Sequence, residues 1–397
     1  MKQTDVVVVG AGPVGVLNAL GLARAGVSVT LLESEPAIVQ SPRAVVYHWS
    51  VLEGIERLGI LDEAVRAGFT KQDYTYLVLA TGERISMGMG VLEGRVRHPY
   101  NLHLGQHRLA EIALEHLRRL GATVSFGTRV TGLAQDDDGV TVTAETPDGP
   151  AEFRAGWVIG ADGARSAVRG LLGLDFEGMT WPERFVATNI RYDFEAHGYG
   201  RSTLQIDARD GAIIAKIDET GLWRCTYCEP LDLPEEEVQD RMPAVFERIL
   251  PGAEGYELVQ YSPYRMHQRA ATRFRAGRVL LAGDAAHATN PAGGLGLTSG
   301  LFDTFVLYDA LAAVVQGRAE DDVLDRYAEE RRRVFLDVAS PAAGENKRLI
   351  YHSEDPARLA QDLDRLRRMA KDEQLLLERF LFSKRIETPA LVRSQKD

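Results

Sequence analysis

Residues 6–15 read VVVVGAGPVG: four successive valines run straight into Gly10, Gly12 and Gly15. A run of β-branched side chains with no polar face is a strand buried on both sides. Apolar residues continue at helical spacing from Pro13 to about Ala25 and stop at Gly26, and Val27–Leu32 is a second strand closing on Glu33. A strand–turn–helix–strand unit of this length predicts an α/β chain built on a parallel sheet.

The turn has a chemical reading. Gly10 permits the tight bend, Gly12 lets backbone approach a pyrophosphate, and Gly15 lets the helix close on the strand. The helix entry at Pro13 and Val14 presents free N–H groups and a positive dipole end to phosphate oxygens. Glu33, at the end of the second strand, can accept from ribose hydroxyls. Dinucleotide binding is the expectation, and this fingerprint alone does not separate FAD from NAD.

Residues 6–23 are also apolar enough to span a bilayer. Gly10, Gly12, Pro13 and Gly15 interrupt them, no secretory cleavage pattern follows, and no other stretch comes close, so the chain reads as soluble. With 46 basic and 57 acidic residues the net charge is −11, which excludes the broad basic surface of a nucleic-acid binder and fits poorly with an anionic membrane. Two cysteines make no disulfide framework, so the expected location is cytoplasmic. Cys225 and Cys228 form one CxxC with no completing set, and on a strand they point to opposite faces, so no metal is expected.

Beyond the fingerprint, residues 50–67 and Gln106–Leu120 are helical, and 74–86 is a hairpin about Thr81-Gly82. Val124–Phe126, Val140–Ala144 and Trp157–Gly160 are strands. Alternation between 183 and 230 predicts an antiparallel sheet. Pro234 opens a helix whose acidic run is a solvated face. After the strand Val279–Ala282 the chain is helical to its end.

Three further segments carry chemistry. VIGADGARSAVR (158–169) holds Asp162-Gly163, Ser166 and Arg169. RVLLAGDAAHATNPAGGLGLTSG (278–300) holds Gly283-Asp284 and a glycine-rich helix entry. Ser41-Pro42-Arg43-Ala44 precedes HWSVLEGIERLGILDE. The fingerprint and the first two of these segments, in that order along the chain, with the Ser41–Ala44 segment as a fourth match, resemble the single-component FAD-dependent aromatic hydroxylases, the para-hydroxybenzoate hydroxylase-like flavoprotein monooxygenases, over roughly residues 4–340.

The resemblance implies a glutathione-reductase-like FAD-binding domain (1–73, 99–182 and 262–340), an inserted antiparallel-sheet substrate domain (74–98 and 183–261) and a C-terminal helical segment (341–397). It places Gly10, Gly12, Gly15 and Glu33 on the ADP half of FAD and Arg43 on the pyrophosphate. Gln106 would meet the middle of the cofactor, and Asp162 both FAD and the nicotinamide. Asp284 would meet the ribityl chain and Pro291 the ring, with backbone N–H groups of residues 293–298, among them Gly294, Gly296, Leu297 and Thr298, at the pyrimidine edge. Relatives often carry Gln at the position of Leu295 and Asn at that of Thr298. No second GxGxxG is present, which agrees with transient docking of NADH or NADPH, and the chain stops too early for the thioredoxin-like domain of phenol hydroxylases.

The implied reaction reduces FAD with NAD(P)H, adds O2 to the ring, and passes one oxygen atom from a flavin C4a-hydroperoxide to a phenolic or other electron-rich aromatic in a site that excludes water. Catalytic candidates are His48, Tyr192 and Arg224, and substrate candidates Tyr47, Gln205 and Tyr227, with Arg224 suited to a carboxylate. Asp162 and Asp284 could instead cap helices, and His287 packs structurally. The alternatives are an epoxidase, halogenase or reductase on a nonaromatic substrate, or a flavoprotein without turnover. A monomer or homodimer is expected.

Overall fold

The valine run forms the middle of a parallel sheet because both of its faces are covered. Strand Lys2–Val9 pairs in parallel with Val29–Leu32 on one side and with Gly149–Gly160 on the other. The sheet continues to Thr123–Ser125 at one edge and to Val279–Leu281 and Arg275–Ala276 at the other, with the hairpin Arg129–Asp136/Gly139–Thr146 growing off Gly149–Gly160. Here and below, the chain is described in a computed structural model for residues 2–40, 42, 44–250, 252 and 255–392.

Helix Pro13–Arg24 is held between helices Gln106–Arg119 and Leu295–Val315. Contact with the latter is close: a Cβ on Gly21 would lie 2.4 Å from the Tyr308 ring. Leu295–Val315 is long and apolar enough to cross a bilayer, a correction to the expectation that only residues 6–23 have that character. That character is spent on the core: 83% of its most apolar 18-residue stretch is buried.

The second sheet runs His287–Ala288, Glu257–Ala271, Phe176–Arg191, Leu222–Pro230, Ala212–Lys216, Ser202–Ile206, Asp73–Val78, Glu83–Gly88. Its pairs are antiparallel except Ser202–Ile206 with Asp73–Val78, which run parallel. That hairpin comes from far upstream, so no tight turn dictates its direction. The strands Phe176–Arg191 and Glu257–Ala271 pair along their length and run through the expected boundaries at 182/183 and 261/262. Glu257–Ala271 escapes a reading by periodicity because polar residues and Pro263 break its alternation.

The expected helix over 50–67 is two, Trp49–Arg57 and Leu61–Ala67. Gly59, at φ +67°, supplies the left-handed turn that separates them. The C-terminal helices do not stand apart: Leu363, Leu366, Leu376 and Phe380 bury against Tyr76, Ile85 and Met87 of the second sheet.

Candidate active site

The fingerprint turn is shaped by what fills it. Gly10 has φ +104°, and a Cβ there would lie 2.4 Å from the Ala161 carbonyl; one on Gly15 would lie 1.9 Å from the Gly10 carbonyl. Gly12 differs, for a Cβ there meets nothing within 4 Å. It is the N-cap of helix Pro13–Arg24, with no side chain capping the first N–H groups. Those donors therefore open onto free space, as an anion site requires. Glu33 braces the loop, its Oε2 accepting the Ala11 N–H at 2.6 Å and its Oε1 the Glu35 N–H at 2.9 Å. Arg43 lies outside the described residues.

Asp284 is exposed in the turn Gly283–Ala285. Val14 packs into this turn, 2.9 Å from where a Gly283 Cβ would sit. The Gly283 N–H is accepted by buried Asp303 at 2.9 Å, which also receives His287 Nε2 and Arg331 Nε, each at 2.7 Å. His287 stacks on Phe335 within this core.

Asp162 spends its carboxylate locally. Oδ1 accepts from Ser166 Oγ at 2.5 Å and Oδ2 from the Val168 N–H at 3.1 Å, while Ser166 caps helix Ala167–Leu171. Burial raises the Asp162 carboxyl above its ordinary pKa. Arg169 donates to the Ala285 and Ala164 carbonyls and lies 3.8 Å over the Phe176 ring. The motif thus ties the Asp162 turn to the Asp284 turn.

The glycine-rich entry to helix Leu295–Val315 is gripped from two sides. Gly293 and Gly294 have φ +89° and +68°. A Cβ on Gly294 would lie 3.0 Å from His48 Nε2, and one on Gly293 2.3 Å from Asn346 Nδ2. His48 Nε2 donates to the Gly293 carbonyl at 2.8 Å, and burial lowers the His48 pKa. Pro291, Gly294, Gly296 and Leu297 stay partly uncovered, as does Gln106 at the start of its helix. Thr298 is buried, its Oγ1 donating to the Gly294 carbonyl at 2.9 Å, so it faces its own helix turn.

Register sorts the substrate candidates. Tyr76, Leu204, Ile213, Thr226 and Ala187 form one cross-strand row, and two residues along lies the row of Ser202, Ala215, Arg224 and Asn189 on the same face. That face meets Ala292 of the glycine-rich entry through Phe185, Tyr264 and Ile213. Arg224 Nε donates to Asn189 Oδ1 at 2.8 Å, and burial lowers its pKa to about 10, so it stays charged at neutral pH.

Tyr192, Gln205 and Tyr227 do not fit the expected pocket, because alternation turns them to the other face. Tyr192 and Tyr227 pack with Trp223 and Phe246 under helix Val238–Ile249. Gln205 is bound there by the Tyr199 hydroxyl and the Asp210 carbonyl. Tyr47 is also displaced: it is 1% exposed in the core of the first sheet, its hydroxyl without a partner among the described residues. One residue on, His48 faces the opposite way, toward Gly293.

Residues 3–342 match the FAD binding domain family. The chain belongs to this family. It is 43% identical to 6-hydroxy-3-succinoylpyridine 3-monooxygenase HspB of Pseudomonas putida strain S16, over 98% of this chain and 99% of that one. It is 43% identical to para-nitrophenol 4-monooxygenase of Pseudomonas sp. strain WBC-3, over 96% and 95%. The crystal structure of p-nitrophenol 4-monooxygenase PnpA from Pseudomonas putida DLL-E4 superposes with a TM-score of 0.95 at 44% identity, covering 98% of this chain and 100% of that one. The flavin-dependent monooxygenase PieE, solved with FAD and substrate, gives a TM-score of 0.79 at 25% identity, over 96% and 72%.

The chain is an FAD-dependent aromatic monooxygenase. FAD fits the flavoprotein's open cradle, since the space beyond Gly12 and the uncapped N–H groups behind it are what a pyrophosphate fills. When bound, FAD supplies the electron transfer and O2 activation of a monooxygenase. No group of metal-binding residues occurs among the described residues of the monooxygenase. Sequence reasoning missed Asn346 and Arg331, which reach the Ala292 and Ser299 carbonyls from helices with no motif of their own, and Asp303, which lies just past the glycine-rich motif in helix Leu295–Val315.

Proposed function

We propose that this monooxygenase hydroxylates a small phenolic ring at the carbon para to its hydroxyl, where that carbon bears a polar substituent, using FAD, NAD(P)H and O2. One observation carries the reading. Two relatives at 43% identity are named for oxygenation para to a ring oxygen: position 4 of para-nitrophenol, and position 3 of a pyridine hydroxylated at position 6. A hydroxyl feeds electron density to its para carbon, the position an electrophilic oxygen attacks.

In this reading Gly10, Gly12, Pro13, Val14, Gly15 and Glu33 hold the ADP half of FAD, Asp284 the ribityl chain, and Gln106 the middle. Pro291, Gly294, Gly296 and Leu297 form the ring's bed, positioned by His48 and Asn346. Arg224, supported by Asn189, faces the substrate. Asp162 acts by fixing its loop. NAD(P)H docks transiently where Arg165, Arg265 and Arg269 surround His267, whose pKa burial and these charges lower. The thiols of Cys225 and Cys228 are free, which suits a cytoplasmic location.

The test is NADH and NADPH oxidation in air by the yellow holoenzyme, with 4-nitrophenol, unsubstituted phenol and a nonaromatic control. Oxidation stimulated by 4-nitrophenol, with nitrite and a para-oxygenated product, is expected. For that substrate the balance is 4-nitrophenol, O2, NAD(P)H and H+ giving benzoquinone, nitrous acid, water and NAD(P)+. Stimulation by the nonaromatic compound alone would sink the reading.

A further inference from the structure

A cavity of about 490 Å³ lies between helices Trp49–Arg57 and Leu295–Val315, and none of the cradle residues described above lines it. Each helix gives it one face. Ser50, Glu53 and Arg57 recur at the three- and four-residue spacing of a helical stripe, and Phe302, Phe305 and Asp309 do the same on the facing helix. The helices come closest at Gly54, where a Cβ would lie 2.2 Å from the Phe305 ring. A turn further along, Arg57 meets Asp309. Glu387, Thr388 and Ala390 close the space from the end of the chain.

Two observations make this more than a gap between helices. Ser50 lines the cavity and is only 3% exposed, yet its hydroxyl has no hydrogen-bond partner among the described residues. A buried hydroxyl is costly to leave unpaired. The charges are also unbalanced, because the carboxylates of Glu53, Glu56, Asp309 and Glu387 line the space with only Arg57 and Arg97 against them. Glu56 is spent on Arg97 at 2.6 Å and Glu387 on Lys384 at 2.8 Å. Glu53 and Asp309 are not spent. Their ion-pair partners among the described residues, Lys384 and Arg57, stand at 3.9 and 3.7 Å, beyond hydrogen-bond distance, and the two side chains stay 46% and 41% exposed.

Between these polar points the wall is aromatic. Phe302 and Phe305 meet edge-on with centroids 6.3 Å apart. Arg57 Cζ already lies 5.8 Å over the Phe305 ring, so this wall accepts a cation beside it. Ser50 and Arg57 are seven residues apart, about 10 Å along the helix axis. A ligand that serves both ends is therefore extended, apolar in the middle and positively charged at each end.

We propose that this cavity binds an aliphatic diammonium ion, one ammonium group donating to Glu53 and the Ser50 hydroxyl, the other to Asp309, with the methylene chain along Phe302 and Phe305. Its two charges match the excess of carboxylates over arginines in the lining. An anion would be repelled by that excess, and a monoamine would leave one of the two carboxylates unserved. The inference does not depend on which aromatic compound the enzyme oxygenates.

The experiment titrates the holoenzyme calorimetrically, at low ionic strength, with 1,6-diaminohexane, 1-aminohexane and 1,6-hexanediol. The diamine is expected to bind about tenfold or more tighter than the monoamine, and the diol more weakly than either. Glu53→Gln and Asp309→Asn should each raise Kd for the diamine by about fivefold or more, and Ser50→Ala by about threefold. Glu236→Gln removes the same charge from an exposed position outside the cavity and should change Kd by less than about twofold. FAD content and thermal midpoint report that each variant is folded. A parent that does not bind the diamine, or binds it no better than the monoamine, overturns the proposal. Equal weakening by Glu53→Gln, Asp309→Asn and Glu236→Gln overturns it too, since net charge alone would then account for the binding.

Discussion

Arg331 donates its Nε to Asp303 at 2.7 Å with both side chains fully buried, and the other Asp303 oxygen accepts the N–H of Gly283, the residue before Asp284. Arg331 also donates to the Ile386 carbonyl and to Thr388 Oγ1. One ion pair therefore joins the cofactor-side turn to the far end of the chain.

Removing either partner strands the other charge in the core. Arg331→Met is expected to cost about 3–5 kcal/mol, since breaking a buried pair leaves an uncompensated ion. Thermal unfolding should fall steeply and FAD retention with it. A midpoint within a degree or two of the parent would show that the pair is replaceable.

The same pair has a pH signature. Burial pushes the Asp303 carboxyl up, but the charges and hydrogen bonds of His287 and Arg331 outweigh burial and hold it at about 2. A carboxyl depressed in the folded state contributes its full stability above the unfolded value, roughly 3.9, and loses it as pH falls through about 2. The stability gap between parent and Asp303→Asn should be flat from pH 8 to about 5 and shrink below about 4. Denaturant melts across that range check it, and a gap widening toward acid would contradict it.

Gly12 separates folding from cofactor binding. Because its Cβ would meet only open space, Gly12→Ala should change apoprotein stability by less than about 1 kcal/mol while weakening FAD binding by about tenfold or more, since the methyl enters the space a pyrophosphate needs. Gly15→Ala, with a Cβ 1.9 Å from the Gly10 carbonyl, should fail to fold normally even without FAD. Apoprotein melts beside flavin titrations distinguish the two.

Tyr227 and Arg224 test the two faces of the sheet. The Tyr227 hydroxyl is buried without a partner among the described residues, under Phe246. Tyr227→Phe should leave kcat and KM within about twofold and stability unchanged or slightly higher. Arg224→Gln, on the face that meets Ala292 and that we propose faces the substrate, should cost about tenfold or more in kcat/KM. Steady-state kinetics with 4-nitrophenol decide it, and a Tyr227→Phe enzyme as impaired as Arg224→Gln would refute the assignment of faces.

Asp162 is expected to behave as a cap. Asp162→Ala should lose about 1 kcal/mol, the usual value of a side chain satisfying helix N–H groups, and still bind FAD. Loss of the yellow colour at unchanged thermal midpoint would instead mean direct cofactor contact.

Much of the candidate cofactor cradle was legible in the chain because its local structure is set by neighbouring residues. Val6–Val9, Gly10, Gly12, Gly15 and Glu33 lie within one strand–turn–helix–strand unit, where backbone sterics and hydrogen bonding leave few alternatives, and Asp284 and Gly294 sit on equally local turns. The same locality made residues 50–67 readable as helical, missing only the stop at Gly59. What the sequence by itself determined is this α/β framework and its dinucleotide chemistry. Which face of the second sheet meets the glycine-rich entry, and so why Arg224 lies on that face while Tyr192, Gln205 and Tyr227 do not, was decided by register across strands distant in sequence. A one-residue change of register turns every side chain over. Asn346, Asp303 and Arg331 likewise carry no local signal, because a helix residue acquires its role only when packing brings it against a loop from elsewhere in the chain.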